Sequence, residues 1–225
     1  MFFDSMLNWL NQNGGLITNA TLQTLYMVGV AGIVGFIVGT PLGVILHITK
    51  KGGLLENTKL NKILGAIVNI GRSVPFIVLM VAIIPVTKFL VGTFIGTSAA
   101  IVPLTIGAIP FIARLIEGAL IEVPTGLIEA AQSMGATPMQ IITKVLLPEA
   151  MPTIINSITI TLVTLVSYSA MAGTVGGGGL GDVAIRYGFY RYDVSVMAAT
   201  IVLLVVIVQV VQSVGDAIVR RVDHK

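Results

Sequence analysis

The sequence predicts an all-α polytopic membrane protein with about five transmembrane helices. Three observations carry this. Of 225 residues, 55% are hydrophobic and only 10% are charged, where a soluble domain carries about 25% charged residues. No Asp, Glu, Lys or Arg occurs between Asp4 and Lys50, Lys88 and Arg114, Glu149 and Asp182, or Asp193 and Asp216. Each gap holds the roughly 20 residues that a membrane-spanning helix needs. Backbone groups in lipid must be satisfied internally, so such segments are helical, and they are too continuously apolar for alternating barrel strands.

The spans are expected at about 20–48, 63–85, 97–120, 151–173 and 194–217, within one membrane domain covering 1–225. The first carries Gly35, Gly39 and Gly43, a small-xxx-small spacing that lets helix backbones approach closely. It serves either packing within the chain or a subunit interface. Pro41 is expected to bend this helix. Arg72 interrupts the second span, whose lipid-facing part runs on this reading from Ser73 to about Leu90. Orientation follows from the basic residues. With the N-terminus outside, the inside segments hold eight: Lys50, Lys51, Lys59, Lys62, Lys144, Arg220, Arg221 and Lys225. The outside segments hold three: Lys88, Arg186 and Arg191. The bias predicts N-out and C-in. Asp4, with no basic residue before the first apolar run, argues against a cleaved signal peptide.

Residues 122–150, EVPTGLIEAAQSMGATPMQIITKVLLPEA, are too polar to span and too patterned for a floppy loop. Pro124 suits a first helical turn. Leu127, Ile128, Ala131 and Met134 share one helical face. Gly135 fits the left-handed position that ends a helix. Thr137, Pro138 and Gln140 then read as an N-cap, N1 and N3 of a second helix with a capping box. Ile141, Ile142, Val145 and Leu146 give that helix an apolar face, and Pro148 is expected to stop it. Patterning alone leaves two readings open: a membrane-surface hairpin without a partner, or a docking element.

Glu129-Ala130-Ala131, then Gly135 after three intervening residues, then Val145-Leu146-Leu147-Pro148 after nine more, resembles the EAA loop of ABC importer permeases, the inner-membrane components of binding-protein-dependent transport. Val145 stands where that pattern has Ile. The resemblance implies that Glu129, Ala130, Ala131, Met134, Gly135, Ala136 and the stretch through Val145, Leu147 and Pro148 form coupling helices that dock on a cytoplasmic ATPase. Arg72-Ser73-Val74-Pro75-Phe76, the run Ile101 to Arg114 and LVSYSAMAGTVGGGGLG from Leu165 to Gly181 resemble more narrowly the permease subunit of methionine importers. The similarity covers about residues 20–222. It implies five spans per subunit, a homodimer in the bacterial inner membrane, two copies of an ABC ATPase that bind the ATP and Mg, and an extracytoplasmic methionine-binding protein. It implies no cofactor on this chain and no nucleic acid.

Thr153, Ser157, Thr161, Thr164 and Tyr168 recur at three or four residues, followed by Ser169 and Met171. They form one polar stripe, lining a pathway or bonding the helix's own carbonyls. Within that stripe Thr161, Thr164, Tyr168, Ser169 and Met171 are the candidates for pathway and gate. Arg72 is either an intramembrane functional charge or snorkels to headgroups. Arg114 and Glu117 are placed to pair on one helix face.

Other chemistry is excluded by what the sequence lacks. Cysteine is absent, so there is no disulfide or thiolate site. His47 and His224 are the only histidines; both are expected at interfaces rather than in a metal cluster. Gly176, Gly178 and Gly181 satisfy G-x-G-x-x-G but follow an apolar helix rather than a strand. A flexible hinge is the expectation there. Tyr187, Phe189, Tyr190 and Tyr192 read as an interfacial aromatic anchor. No P-loop exists in the chain, so ATP hydrolysis must come from a partner. Rival functions are an ATP-driven permease for another amino acid or a quaternary amine, an ion-coupled carrier, which the near-absence of buried carboxylates disfavours, and an intramembrane enzyme, for which no nucleophile–base pair is visible.

Overall fold

The computed structural model describes Trp9 and residues 12–222, which form helices and turns with no strand among them. The long helices are α1 (Gly14–Thr49), α5 (Thr97–Ile121), α9 (Met151–Gly173) and α11 (Val194–Val222). All four are long and apolar enough to cross a membrane. Pro41 lies inside α1, which continues through it.

The second span departs from expectation. It is not one helix over 63–85 but α2 (Thr58–Ser73), α3 (Phe76–Ala82) and α4 (Ile84–Val91). Together α2 and α3 form a bent pair that counts as a fifth span only if taken as one. The break has a local cause. Val74 precedes a proline and is pushed out of the α region, and Pro75 takes φ −57° and ψ 135°. Pro75 also has no N–H to donate back into α2.

The described residues group into two compact units, one drawn from those up to 34 with 74–107 and 162–212, the other from 35–73, 108–161 and those from 213 on. In the second unit the glycine row of α1 is covered by α5. A Cβ added to Gly39 would meet Ile112 side-chain atoms at 2.8 Å and the Ile109 carbonyl oxygen at 3.0 Å, and one on Gly43 would meet the Ala113 carbonyl oxygen at 2.6 Å. The spacing therefore serves close packing inside the chain. Leu46, Val68 and Ala113 form a buried cluster there with Leu42 and Leu64 against it. The Asn61 side-chain amide donates to the Leu46 carbonyl at 2.7 Å, tying α2 to α1. Arg114 pairs with Glu117 one turn on and donates to the Asn69 side-chain oxygen at 2.8 Å.

In the first unit, Ala20, Leu180, Val183 and Val196 make the core, with Leu16, Ile17 and Tyr187 packed on it. α11 presents Val202, Val205, Val206 and Val210 to the outside, each more than half exposed. Such a stripe is unfavourable in water and suits lipid. The aromatic run stays at the surface: Phe189, Tyr190 and Tyr192 are exposed, and the Arg191 guanidinium sits 4.6 Å from the Tyr187 ring centroid.

Orientation is tested by labelling, since the chain has no native thiol. With single cysteines at positions 51, 186 and 225, an impermeant reagent added to intact cells is expected to mark only the one at 186. Marking at 51 or 225 without 186 reverses the topology.

Candidate functional site: the two-helix loop and the end of α9

The loop folds from its own sequence. Its first helix, α6 (Thr125–Ser133), is preceded by Pro124 as its N-cap rather than as a first-turn residue. At its other end Met134 is the C-cap and Gly135 takes φ +78°. The Gly135 N–H bonds the Gln132 carbonyl at 2.9 Å and the Ala136 N–H reaches back to Ala131 at 3.1 Å. These are the two bonds of a Schellman motif, which satisfy carbonyls that a helix end leaves open. Nothing lies within 4 Å of a Cβ added to Gly135, so backbone conformation, not space, is what asks for glycine there.

The second helix starts as the sequence predicts. Thr137 caps α7 (Pro138–Ile141): its hydroxyl accepts from the Gln140 N–H at 3.4 Å, and the Gln140 side chain accepts from the Thr137 N–H at 2.8 Å. Its ending corrects the sequence reading. Pro148 does not stop the helical path. Ile142–Leu146 form a π-helical turn, α8 (Leu147–Glu149) carries Pro148, and the path turns only at Ala150. A widened turn ahead of a proline gives room where the ring would strike the preceding turn.

The faces sort into buried and presented sets. Ala131, Ile141, Ile142 and Leu146 are buried, and Ile128, Val145 and Leu147 half-buried. Leu127 and Met134 do not join them as expected: Met134 is 81% exposed, and Met139 beyond the turn is 67% exposed. Glu129, Ala130, Gly135 and Pro148 are exposed too, with Ala136 half-buried. The loop thus exposes apolar side chains on both sides of its glycine turn, Leu127 and Met134 before it and Met139 after it, and Glu129 is exposed on the same helix as Leu127. Flexible, polarizable methionines are suited to docking against a protein groove.

The polar stripe of α9 binds mostly to its own helix. Ser157 donates to the Thr153 carbonyl at 2.8 Å, Thr161 to Ser157 at 2.7 Å and Ser169 to Val166 at 2.7 Å. Thr161 and Ser169 are 1% and 2% exposed, and Thr164 is half-buried. Tyr168 and Met171 differ. Tyr168 stacks on Phe76 with ring centroids 4.4 Å apart and planes within 4°, and Met171 is 46% exposed. Arg72 is exposed in the last turn of α2.

The glycine run after α9, which leads into the short helix α10 (Gly179–Val183), is not a loose hinge. The Gly179 N–H donates to the Gln23 side-chain oxygen at 2.8 Å and the Leu180 N–H to the Thr24 hydroxyl at 3.0 Å. Gly96 N–H bonds the Gly176 carbonyl at 2.9 Å. A Cβ on Gly181 would lie 2.4 Å from the Ala170 Cα and carbonyl oxygen, and one on Gly173 2.3 Å from the Asp182 nitrogen. The glycines let two backbone segments touch.

The family model of the binding-protein-dependent transport system inner membrane component matches residues 39–224. The chain belongs to this family. The probable D-methionine transport system permease protein MetI of Vibrio cholerae serotype O1 is 76% identical over 225 residues, the whole of both chains. The D-methionine transport system permease protein MetI of Escherichia coli K12 is 58% identical over 158 residues, 70% of this chain and 73% of its own. A chain of the inward-facing MetNI methionine ABC transporter superposes with a TM-score of 0.93 at 54% identity, covering 95% of this chain and 99% of that one. An amino acid ABC transporter with histidines, at 19% identity and a TM-score of 0.78, shares the fold.

For this transport-system component, three residues escaped the sequence. Phe76 reaches Tyr168 across 92 positions, Gln23 and Thr24 reach the glycine run across 156, and no local spacing relates them. His47 was expected at an interface but is buried, at 6% exposure, with its Nδ1 unpartnered. His224 lies outside the described residues, and no cluster of three metal-ligating side chains occurs among them.

Proposed function

We propose that this chain is the membrane-spanning subunit of an ATP-driven methionine importer of the bacterial inner membrane, working as a single membrane domain in a homodimer. Two cytoplasmic ABC ATPases bind the ATP and Mg and dock on the 122–150 loop of each subunit, and an extracytoplasmic binding protein delivers methionine. The observation that carries the solute is the 76% identity, over the full length of both chains, with a methionine permease protein. The loop geometry supports the docking role: a turn locked by a Schellman motif and a capping box holds Met134 and Met139 outward. Glu129, Ala130, Ala131, Gly135, Ala136 and the stretch through Val145, Leu147 and Pro148 build this surface. With the N-terminus outside and the C-terminus inside, closure of the ATPases pulls the loops together and the spans rock between inward- and outward-open states.

Along α9, Tyr168 and Met171 form the gate of the dimer, while Thr161, Thr164 and Ser169 hold the helix in shape behind it. Phe76 fixes the Tyr168 ring, and Met171 closes against its symmetry mate. Arg72, in the last turn of α2, is the intramembrane charge of the second span. A cysteine at position 171 is expected to cross-link between subunits in the inward-open state. Normal transport by Met171→Ala with no cross-link from position 171 would place the gate elsewhere.

Reconstitution tests the function. In proteoliposomes this chain with its ATPase and binding protein is expected to take up methionine on ATP addition, and the chain alone to hydrolyse no ATP and take up none. Uptake by the chain alone, driven by a sodium or proton gradient, refutes the proposal. Uptake of another amino acid or a quaternary amine in place of methionine keeps the mechanism and overturns the solute.

A further inference from the structure

Two contacts with α5 fix the depth at which Arg72 ends α2. A Cβ added to Gly71, just before Arg72, would meet the Pro110 ring at 3.0 Å. One added to Gly107 would lie 3.6 Å from the ring of Phe76, the first residue of α3. The break between α2 and α3 therefore runs past residues 107–110. α5 has 25 residues, Thr97–Ile121, and Ile109 is the middle one. At about 1.5 Å per residue it is about 37 Å long. The hydrocarbon core is about 30 Å thick, so a helix of this length that crosses it keeps its middle within about 4 Å of the bilayer centre. Arg72 is at that level.

Arg72 is exposed there, and none of the ion pairs or side-chain hydrogen bonds of the described residues engages its guanidinium. A charge facing hydrocarbon near the bilayer centre is costly, and snorkelling serves long side chains close to the interface. The surface below Arg72 is polar too. Lys59, Lys62, Ala66, Asn69 and Ser73 follow one another at three or four residues and are all exposed. They form one face of α2, and Arg72 adjoins its upper end. Arg114 of α5 adds a second guanidinium beside it, donating to Asn69 at 2.8 Å. The exposed apolar residues Leu60, Ile63, Ile67 and Ile70 make a separate stripe. α2 thus has one stripe suited to lipid and a second, cationic one that lipid would not tolerate along half the bilayer. A water-filled path satisfies the second.

We propose that Arg72 stands in the solute path at mid-membrane and takes the carboxylate of the amino acid passing through. The proposal rests on the importer function given above, which makes methionine the solute. A guanidinium presents a planar fork of donors that a carboxylate accepts two at a time, and such charge-assisted pairs are the stronger hydrogen bonds. Arg72, unpaired within the chain, has that fork open. Under the topology given above, Lys62 and Lys59 lie further along the same face toward the cytoplasm, so the carboxylate leaves Arg72 toward positive charge.

The test uses the complex of this chain with its ATPase and binding protein. In nanodiscs without nucleotide, a single cysteine at position 72 is expected to react readily with a charged, membrane-impermeant thiol reagent, and one at position 70, on the apolar stripe, to react far more slowly. Methionine is expected to slow the reaction at 72, and methioninamide, which lacks the carboxylate, to slow it much less. In proteoliposomes Arg72→Gln is expected to lower methionine uptake about tenfold or more, the loss of one hydrogen-bonded charge, with recovery and ATP hydrolysis kept. Arg72→Lys is expected to regain part of the uptake, because it restores the charge without the fork. A cysteine at 72 as slow as the one at 70 would mean that no water reaches this level, and the proposal fails. Ready reaction at 72 that methionine does not slow, with full uptake by Arg72→Gln, puts the charge at the headgroups and overturns the contact while the importer function stands. If the wild-type complex imports no methionine, the importer function fails first and the contact falls with it.

Discussion

Gly181→Val is expected to leave little folded transporter and no uptake. A side-chain carbon at this position falls 2.4 Å from both the Cα and the carbonyl oxygen of Ala170. Those atoms are backbone of α9, so no rotamer change relieves the overlap. Overpacking a well-filled site costs about 1–3 kcal/mol and more where the main chain must move, so about 3 kcal/mol or more is the expectation here. The turn cannot swing away cheaply, because Gly179 and Leu180 are held by Gln23 and Thr24, and Thr24 is itself 1% exposed. The measurement is the fraction of monodisperse protein recovered after detergent extraction, with uptake by cells as the second readout. Gly14→Ala is the control: Gly14 opens α1 with nothing within 4 Å of an added Cβ, and alanine favours helix over glycine by up to about 1 kcal/mol. Wild-type recovery of Gly181→Val would mean that the run is loose after all.

What the sequence made legible follows the range of the interactions involved. Charge-free gaps located the long helices because lipid acts on each segment separately, and the helices Thr97–Ile121 and Met151–Gly173 lie within a residue of the spans read at 97–120 and 151–173. The geometry of the two-helix loop was legible because capping is local: Gly135, Thr137 and Gln140 exert their effect within a few residues of themselves. The second span was misread where hydropathy and stereochemistry disagree. A window average passes smoothly over Val74–Pro75, while the backbone there cannot remain helical. Pro148 erred in the other direction, since a π-helical turn absorbs a proline that a regular helix would reject. The glycine run was read as freedom because glycine permits both freedom and contact, and only Ala170, Gln23 and Thr24, distant in sequence, decide for contact. The stripe of α9 had the correct spacing but no means of showing that Thr161 and Ser169 turn their hydroxyls into their own helix.

The same local character makes Gly135 the sharpest probe of coupling. At φ +78° an L-residue pays about 1–2 kcal/mol, and a β-branched one is a clear outlier. There is open space around the position, so Gly135→Val introduces no clash and leaves the buried face of Ala131, Ile141 and Leu146 untouched. The strain is relieved only by giving up the bonds from Gly135 to Gln132 and from Ala136 to Ala131, which lets Met134 and Met139 move out of their fixed relation. The expected result is normal insertion and recovery, ATPase binding weakened about tenfold, the equivalent of about 1.4 kcal/mol, and methionine uptake that falls further than ATP hydrolysis. Gly135→Asn separates conformation from side-chain bulk, because asparagine enters the left-handed region far more readily than valine. It is expected to keep most of the coupling. Equal loss in the asparagine and valine variants would show that the partner's groove excludes any side chain at 135, and full uptake by the valine variant would remove the turn from the docking surface.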